Sequence, residues 1–147
     1  MLTEKDYCDY DTCVALKELG NKTPASAYYV PNNETLYFVS NPYRGGYVID
    51  CFCSHNSLRE DVMTHDFIDA PTMWEAQKWL REEKEIIVDV FVDDDSDTPI
   101  TYNIYKDGEC VCHHHGKYWS VKEWSEALLE GIKEAVKLLK EEKQYGN

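Results

Sequence analysis

The sequence predicts an α+β fold: a single domain over residues 1–147, with an antiparallel sheet of about four to five strands and three helices packed against it. Two patterns lead there. In three separate segments apolar residues recur at steps of three and four, which is the helical period. Between those segments the period drops to two, the strand period, and Pro, Gly and Asp punctuate the alternating runs. The order reads α-ββ-α-ββ(β)-α. A helix with one apolar face and a strand with one apolar side must each cover it, and helices laid on an antiparallel sheet do so with the fewest layers. A chain of 147 residues, 43% hydrophobic, is long enough to bury one ordinary core.

Each helix is announced by its start. Thr3 precedes Asp6, Thr72 precedes Glu75 and Ser120 precedes Glu123, so each pair sets a hydroxyl and a carboxylate around the orphan amides of a first turn. The first helix is predicted over residues 4–19, with Cys8, Thr12, Ala15, Leu16 and Leu19 inward and Gly20-Asn21 as its left-handed stop. The second, residues 72–84, turns Met73, Ala76 and Leu80 inward, with Trp74 and Trp79 widening the stripe. The third steps along Val121, Trp124, Leu128, Ile132, Ala135 and Leu139, joined by Leu129 and Val136. Gly131 interrupts it at a cost of up to about 1 kcal/mol relative to alanine. Close approach to a neighbouring strand is the expected reason.

Strands are predicted over residues 35–39 and 47–53, joined by Asn41-Pro42-Tyr43-Arg44-Gly45-Gly46. A second ribbon pairs residues 86–92 with 100–105 through an acidic turn, and a strand over 109–112 follows the Lys106-Asp107-Gly108 turn.

Charge narrows the function. Fifteen Lys and Arg stand against 28 Asp and Glu, a net charge of −13, so phosphate backbones are repelled and direct nucleic-acid binding is not expected. An acidic field draws a basic protein instead. No apolar run approaches the roughly 20 residues of a membrane helix, so no membrane partner is expected. Residues 1–10, MLTEKDYCDY, have neither the basic start nor the apolar stretch of an export signal. A cytoplasmic protein whose six cysteines stay reduced is the expectation.

Residues 70–82 (APTMWEAQKWLRE), residues 126–135 (EALLEGIKEA) and the opening LTEKDYCDYDTCVALKELG resemble recurrent segments of small proteins from gut Bacteroidales and their phages or mobile elements. The likeness covers roughly a third of the chain. It implies an origin, and brings no reaction and no catalytic residue with it.

The sharpest chemical pattern is a pair of Cys-x-Cys ribbons. Cys51-Phe52-Cys53-Ser54-His55 and Cys110-Val111-Cys112-His113-His114-His115 each set two thiols on one face of a strand with imidazole just beyond. Zn²⁺ favours such sulfur and nitrogen ligands, so Cys51, Cys53, Cys110, Cys112 and His113 form a candidate metal set if the two strands are neighbours. Against this, zinc knuckles space their cysteines by two to four residues, and cysteine is among the most buried residue types. Core thiols without a cofactor are therefore expected, with zinc as the alternative. A thiol nucleophile served by His55 or His65 and oriented by Asp66 is a further form of that alternative. No phosphate-cradling loop, His-Glu-x-x-His helix or Gly-x-Ser-x-Gly elbow occurs, so no catalytic residue is assigned.

Asp93, Asp94, Asp95 and Asp97 lack the spacing of a calcium loop and read as a solvated turn. With Tyr43, Tyr118 and Trp119 they form a candidate partner-binding surface, since Tyr and Trp carry much of the energy of protein interfaces. The sequence thus predicts a non-enzymatic acidic module that binds a basic protein, an accessory factor of a phage or mobile element. The alternative is a small zinc-binding domain or thiol-dependent enzyme, and a homodimeric structural protein is a third form.

Overall fold

Helices lie with antiparallel sheets, as the periodicities require, and the described strands are shared between two sheets. The computed structural model describes residues 2–23, 25–30, 34–41, 48–51, 68–93, 97–113 and 118–145. The chain divides into two compact units, a first of Tyr7–Thr72 and a second of Met1–Asp6 with Met73–Asn147. The one sheet expected from alternation is thus two. Alternation shows that a strand has one apolar side, and it does not show which strands pair.

In the first unit, strands β1 (Ala27–Val30), β2 (Thr35–Asn41), β3 (Val48–Cys51) and β4 (Ile68–Asp69) form an antiparallel sheet in the order β3-β2-β1-β4. Neither β1 nor β4 is visible in the period-two pattern. All four residues of β1 are buried, so its sequence AYYV has no polar alternation to display, and β4 is only two residues long. The register sets Tyr28 opposite both Tyr37 and Asp69.

Helix α1 spans Tyr10–Glu18 and not residues 4–19. The Thr3 signal is spent on a 3-10 turn, Glu4–Asp6, in which the Thr3 amide donates to Asp6 Oδ2 at 2.7 Å. The chain then runs extended: Tyr7 bridges Thr72 and the Cys8 amide donates to the Pro71 carbonyl at 3.0 Å. Asp9 caps α1 in its place, accepting from the Thr12 amide at 3.0 Å. At the other end Asn21 N–H reaches Leu16 O and Gly20 N–H reaches Lys17 O, the two bonds of a Schellman stop, with Gly20 at φ +101°. Buried Thr12, Cys13, Ala15 and Leu16 form the inner face of α1. The Tyr29 hydroxyl donates to the Cys8 carbonyl at 2.9 Å, and Tyr7 packs edge-on against Phe38.

In the second unit, β5 (Ile86–Val92), β6 (Ile100–Lys106) and β7 (Glu109–His113) form an antiparallel meander in that order. Asp107 and Gly108 both have positive φ, as the two-residue turn between β6 and β7 requires. Helices α2 (Met73–Lys84) and α3 (Trp124–Tyr145) pack on the sheet, α2 against β5 and α3 against β5 and β6. Helix α2 buries Met73, Ala76 and Leu80 as predicted, while Trp74 is 45% exposed. The Gln77 side-chain amide donates to the Val88 carbonyl of edge strand β5 at 2.8 Å. Lys84 Nζ stands 5.5 Å over the Trp79 ring.

The start of α3 departs from the predicted stripe. Ser120 N–H donates to Glu123 Oε1 at 2.9 Å, the returning arm of a capping box, and Val121–Glu123 form a 3-10 turn before the α-helix begins. A turn of three residues instead of 3.6 shifts the phase, which leaves Val121 67% and Trp124 38% exposed. From Ala127 onward the burial matches the helical period, with Leu128, Ile132, Ala135, Val136 and Leu139 inside. Gly131 does face strands: a Cβ there would lie 2.5 Å from Val88 Cγ1 and 3.3 Å from Tyr102 Cγ.

Two stability predictions follow from this packing. Gly131→Ala gains about 1 kcal/mol of helix propensity and loses about 1–3 kcal/mol to overpacking. A net loss of roughly 1 kcal/mol is expected on chemical denaturation. In a Val88→Ala background that loss should shrink or reverse, and a coupling indistinguishable from zero would remove the steric account. The second concerns Asp69, whose carboxyl burial pushes above its usual range while Lys17 pulls it partly back. The folded state then holds this proton more tightly than the unfolded state, so this group opposes folding once pH rises through its folded pKa. Asp69→Asn should raise Tm at neutral pH, and the gain should vanish on acidification to about pH 3–4, where the unfolded carboxyl also protonates.

Candidate functional site

Strand β7 carries Cys110, Cys112 and His113 of the metal candidate, and its register decides what its thiols can do. Asn103 faces His113, Ile104 faces Cys112, Tyr105 faces Cys110 and Lys106 faces Glu109, with an irregularity between Ile104 and Tyr105 that leaves Val111 as the extra residue of a bulge. Residues directly opposite share a face and neighbours along a strand do not. Cys110 therefore lies with Tyr105 on one face, and Cys112 with Ile104 on the other. The expectation that Cys110 and Cys112 share a face fails because the bulge adds one residue between them.

Helix α3 identifies the two faces. Tyr102, two residues from Ile104, lies beside Gly131, so the face of Cys112 is the helix-covered one. Burial pushes the Cys112 thiol above its usual range, with the Glu134 carboxylate and Cys110 adding to it. The same surroundings push Tyr102 up to about 12, first by burial and then through Cys112, Glu134 and Glu130. Cys112 is thereby kept as a thiol, a poor nucleophile.

The opposite face holds Asn103, Tyr105, Cys110 and His113. Cys110 Sγ lies 3.6 Å from His113 Nδ1 and 3.6 Å from the Cys112 carbonyl oxygen. Asn103 Nδ2 donates to the Tyr105 hydroxyl at 3.4 Å. This thiol–imidazole contact across three positions of one strand exists because the bulge returns Cys110 to the face of His113. Asn103, opposite that imidazole, was not singled out by the sequence; only the cross-strand register reveals it.

Cys51 lies on β3, which pairs with β2, whereas β7 pairs with β6. Cys53, His55, His65 and Asp66 lie outside the described residues. Among the described residues no group of three or more His, Cys, Asp or Glu is placed to hold a metal ion. Cys8, Cys13, Cys110 and Cys112 are not joined in disulfides. Cys13 is buried, and that burial, with Cys8, Asp9 and Asp69 nearby, pushes its thiol far above its usual range.

Of the partner-binding candidates among the described residues, Asp93 and Tyr118 meet. Asp93 accepts from the Tyr118 hydroxyl at 3.2 Å, Asp97 is exposed, and Asp94, Asp95 and Tyr43 lie outside the described residues. Trp119 is a correction: it is 3% exposed, with its ring 6.0 Å from that of Tyr102. Its backbone exchanges both hydrogen bonds with Ile100, which ties the approach to α3 onto β6 and turns the indole inward. The exposed indoles are Trp74 and Trp124, which the helical period had placed inside.

No helix among the described residues is long and apolar enough to cross a membrane. In comparison with known proteins, no family model matches this chain, and neither a curated protein nor a solved structure does.

Brief alkylation of the native protein, read site by site by mass spectrometry, should modify Cys110 ahead of Cys112. Cys8 and Cys13 should react only after unfolding. Labelling of Cys112 as fast as Cys110 would contradict the assignment of the two thiols to different faces.

Proposed function

We propose that the chain is a non-enzymatic acidic module that docks on a basic protein surface. The observation that carries this reading is the pairing of a −13 net charge, with acidic residues in excess in both units, and two half-exposed indoles on the second unit. The charge speeds encounter with a basic partner over a distance set by salt, and indoles of this kind anchor interfaces once contact is made. Trp74 and Trp124 take the anchoring role first given to Trp119. Exposed Asp97 belongs to the acidic turn that faces the partner.

The resemblance of residues 70–82 and 126–135 to proteins of gut Bacteroidales and their mobile elements supports an accessory factor of such an element. A cytoplasmic setting is part of the proposal, since the free thiols stay reduced there.

The test begins with capture from a Bacteroidales lysate on the immobilised full-length protein. The captured partner is then purified and its Kd measured at two salt concentrations. Affinity should fall by more than about tenfold from low to high ionic strength. Trp74→Ala and Asp97→Lys should each weaken binding, the first by slowing neither association nor its salt dependence but by raising the off-rate, the second through the on-rate. A partner whose affinity is the same at both salts refutes the electrostatic reading.

A further inference from the structure

The connections within the second unit fix which ends of its elements lie together. Helix α2 is joined to β5 by Glu85 alone, at φ +55°, so the chain doubles back and the first turn of α2 lies level with the end of β5 at Val92. The Gln77–Val88 hydrogen bond holds that register partway along both. Helix α3 is placed by three points: Trp119 exchanges backbone bonds with Ile100, Gly131 lies against Val88 and Tyr102, and Glu142 pairs with Lys106 at the far end of β6. Its first turn therefore lies at the Val92–Ile100 end too. Exposed apolar side chains collect there: Trp74, Val92 at 54%, Val121 and Trp124. Carboxylates collect with them. Asp93 follows Val92, Asp97 belongs to the same β5–β6 connection, Glu75 is in the first turn of α2, and Glu123 and Glu126 open α3. Lys122 and, one turn along α2, Lys78 offset part of that charge. The partial positive charges of the two helix N-termini oppose a cation, and the acids of the first turns outweigh them.

We propose that this end of the second unit is a docking surface for an arginine-rich segment of a partner protein, with guanidinium groups on Trp74 and Trp124 and apolar side chains on Val92 and Val121. The surface rests on the proposed function and deepens it by selecting arginine over lysine. An indole with carboxylates beside it suits a guanidinium. The flat cation stacks on the ring, its edge donates paired hydrogen bonds to a carboxylate, and it sheds water more readily than an ammonium. Elsewhere on α2 an indole already takes a cation, since Lys84 Nζ stands over the Trp79 ring. Val92 and Val121 add apolar contact beside the rings, which a partner of charge alone would leave uncovered.

The experiment titrates a synthetic peptide of alternating arginine and leucine into the full-length protein at low salt by calorimetry, beside a peptide of equal length with lysine in place of arginine. The arginine peptide should bind at least about fivefold more tightly, since both carry the same charge and only the guanidinium stacks flat on a ring. Trp74→Ala and Trp124→Ala should each cut its affinity by about threefold or more and shrink that preference. Glu126→Lys should weaken both peptides alike and leave their ratio unchanged. Ile87→Ser, an exposed side chain at the other end of β5, should change neither affinity. Circular dichroism checks that each variant keeps the fold. The docking surface is overturned by failure of the arginine peptide to bind, by equal affinities for the two peptides, or by a preference for arginine that survives loss of both Trp74 and Trp124. Equal affinities that both fall as salt rises would sink the indole surface and leave the acidic docking module standing.

Discussion

The second unit depends on one close approach, that of α3 to β5 and β6 at Gly131. The missing side chain lets the helix backbone sit where any Cβ would meet Val88 and Tyr102. That contact decides which face of the three-stranded sheet is covered. Ile86, Val88, Tyr102 and Ile104 become buried on the covered side, and Asn103, Tyr105, Cys110 and His113 are left to the other. Trp119, bonded by its backbone to Ile100, holds the entry to α3 against β6. The helix cannot back away from the sheet without breaking this tie.

The bulge at Val111 acts on a smaller scale with a larger chemical effect. A regular strand would have stacked Cys110 and Cys112 together and turned His113 away from Cys110. One extra residue instead sends Cys112 under α3, where burial and Glu134 keep it protonated, and brings Cys110 to His113. The two thiols of one short motif thus acquire different surroundings: one packs under α3 and the other meets an imidazole. The proposed recognition falls to the acidic exterior and the two exposed indoles, while the buried positions of the described residues are mostly apolar.

Much of this fold is legible in the residue order, and the misses share a cause. Met73, Ala76 and Leu80 in α2, the later positions of α3, the Gly20 stop, the Asp107-Gly108 turn and the reason for Gly131 all express local periodicity or local backbone chemistry. Asp9 outcompeted Thr3 as a cap because the intervening residues were drawn into a bridge with Thr72, a contact across more than sixty positions. Val121 and Trp124 fell out of the core because a 3-10 turn changed the phase of the stripe. Strand β1 was hidden because a strand buried on both faces does not alternate.

Residue order by itself determined the secondary-structure types, the α+β class and the acidic character, since each rests on short-range periods, caps and a charge count. Tertiary structure alone decided that the strands divide between two sheets, which indoles face water and which cysteine meets a histidine. Those outcomes turn on strand register and helix phase, which are set when distant segments compete for the same buried surface, and a shift of one residue reverses the face of every side chain beyond it.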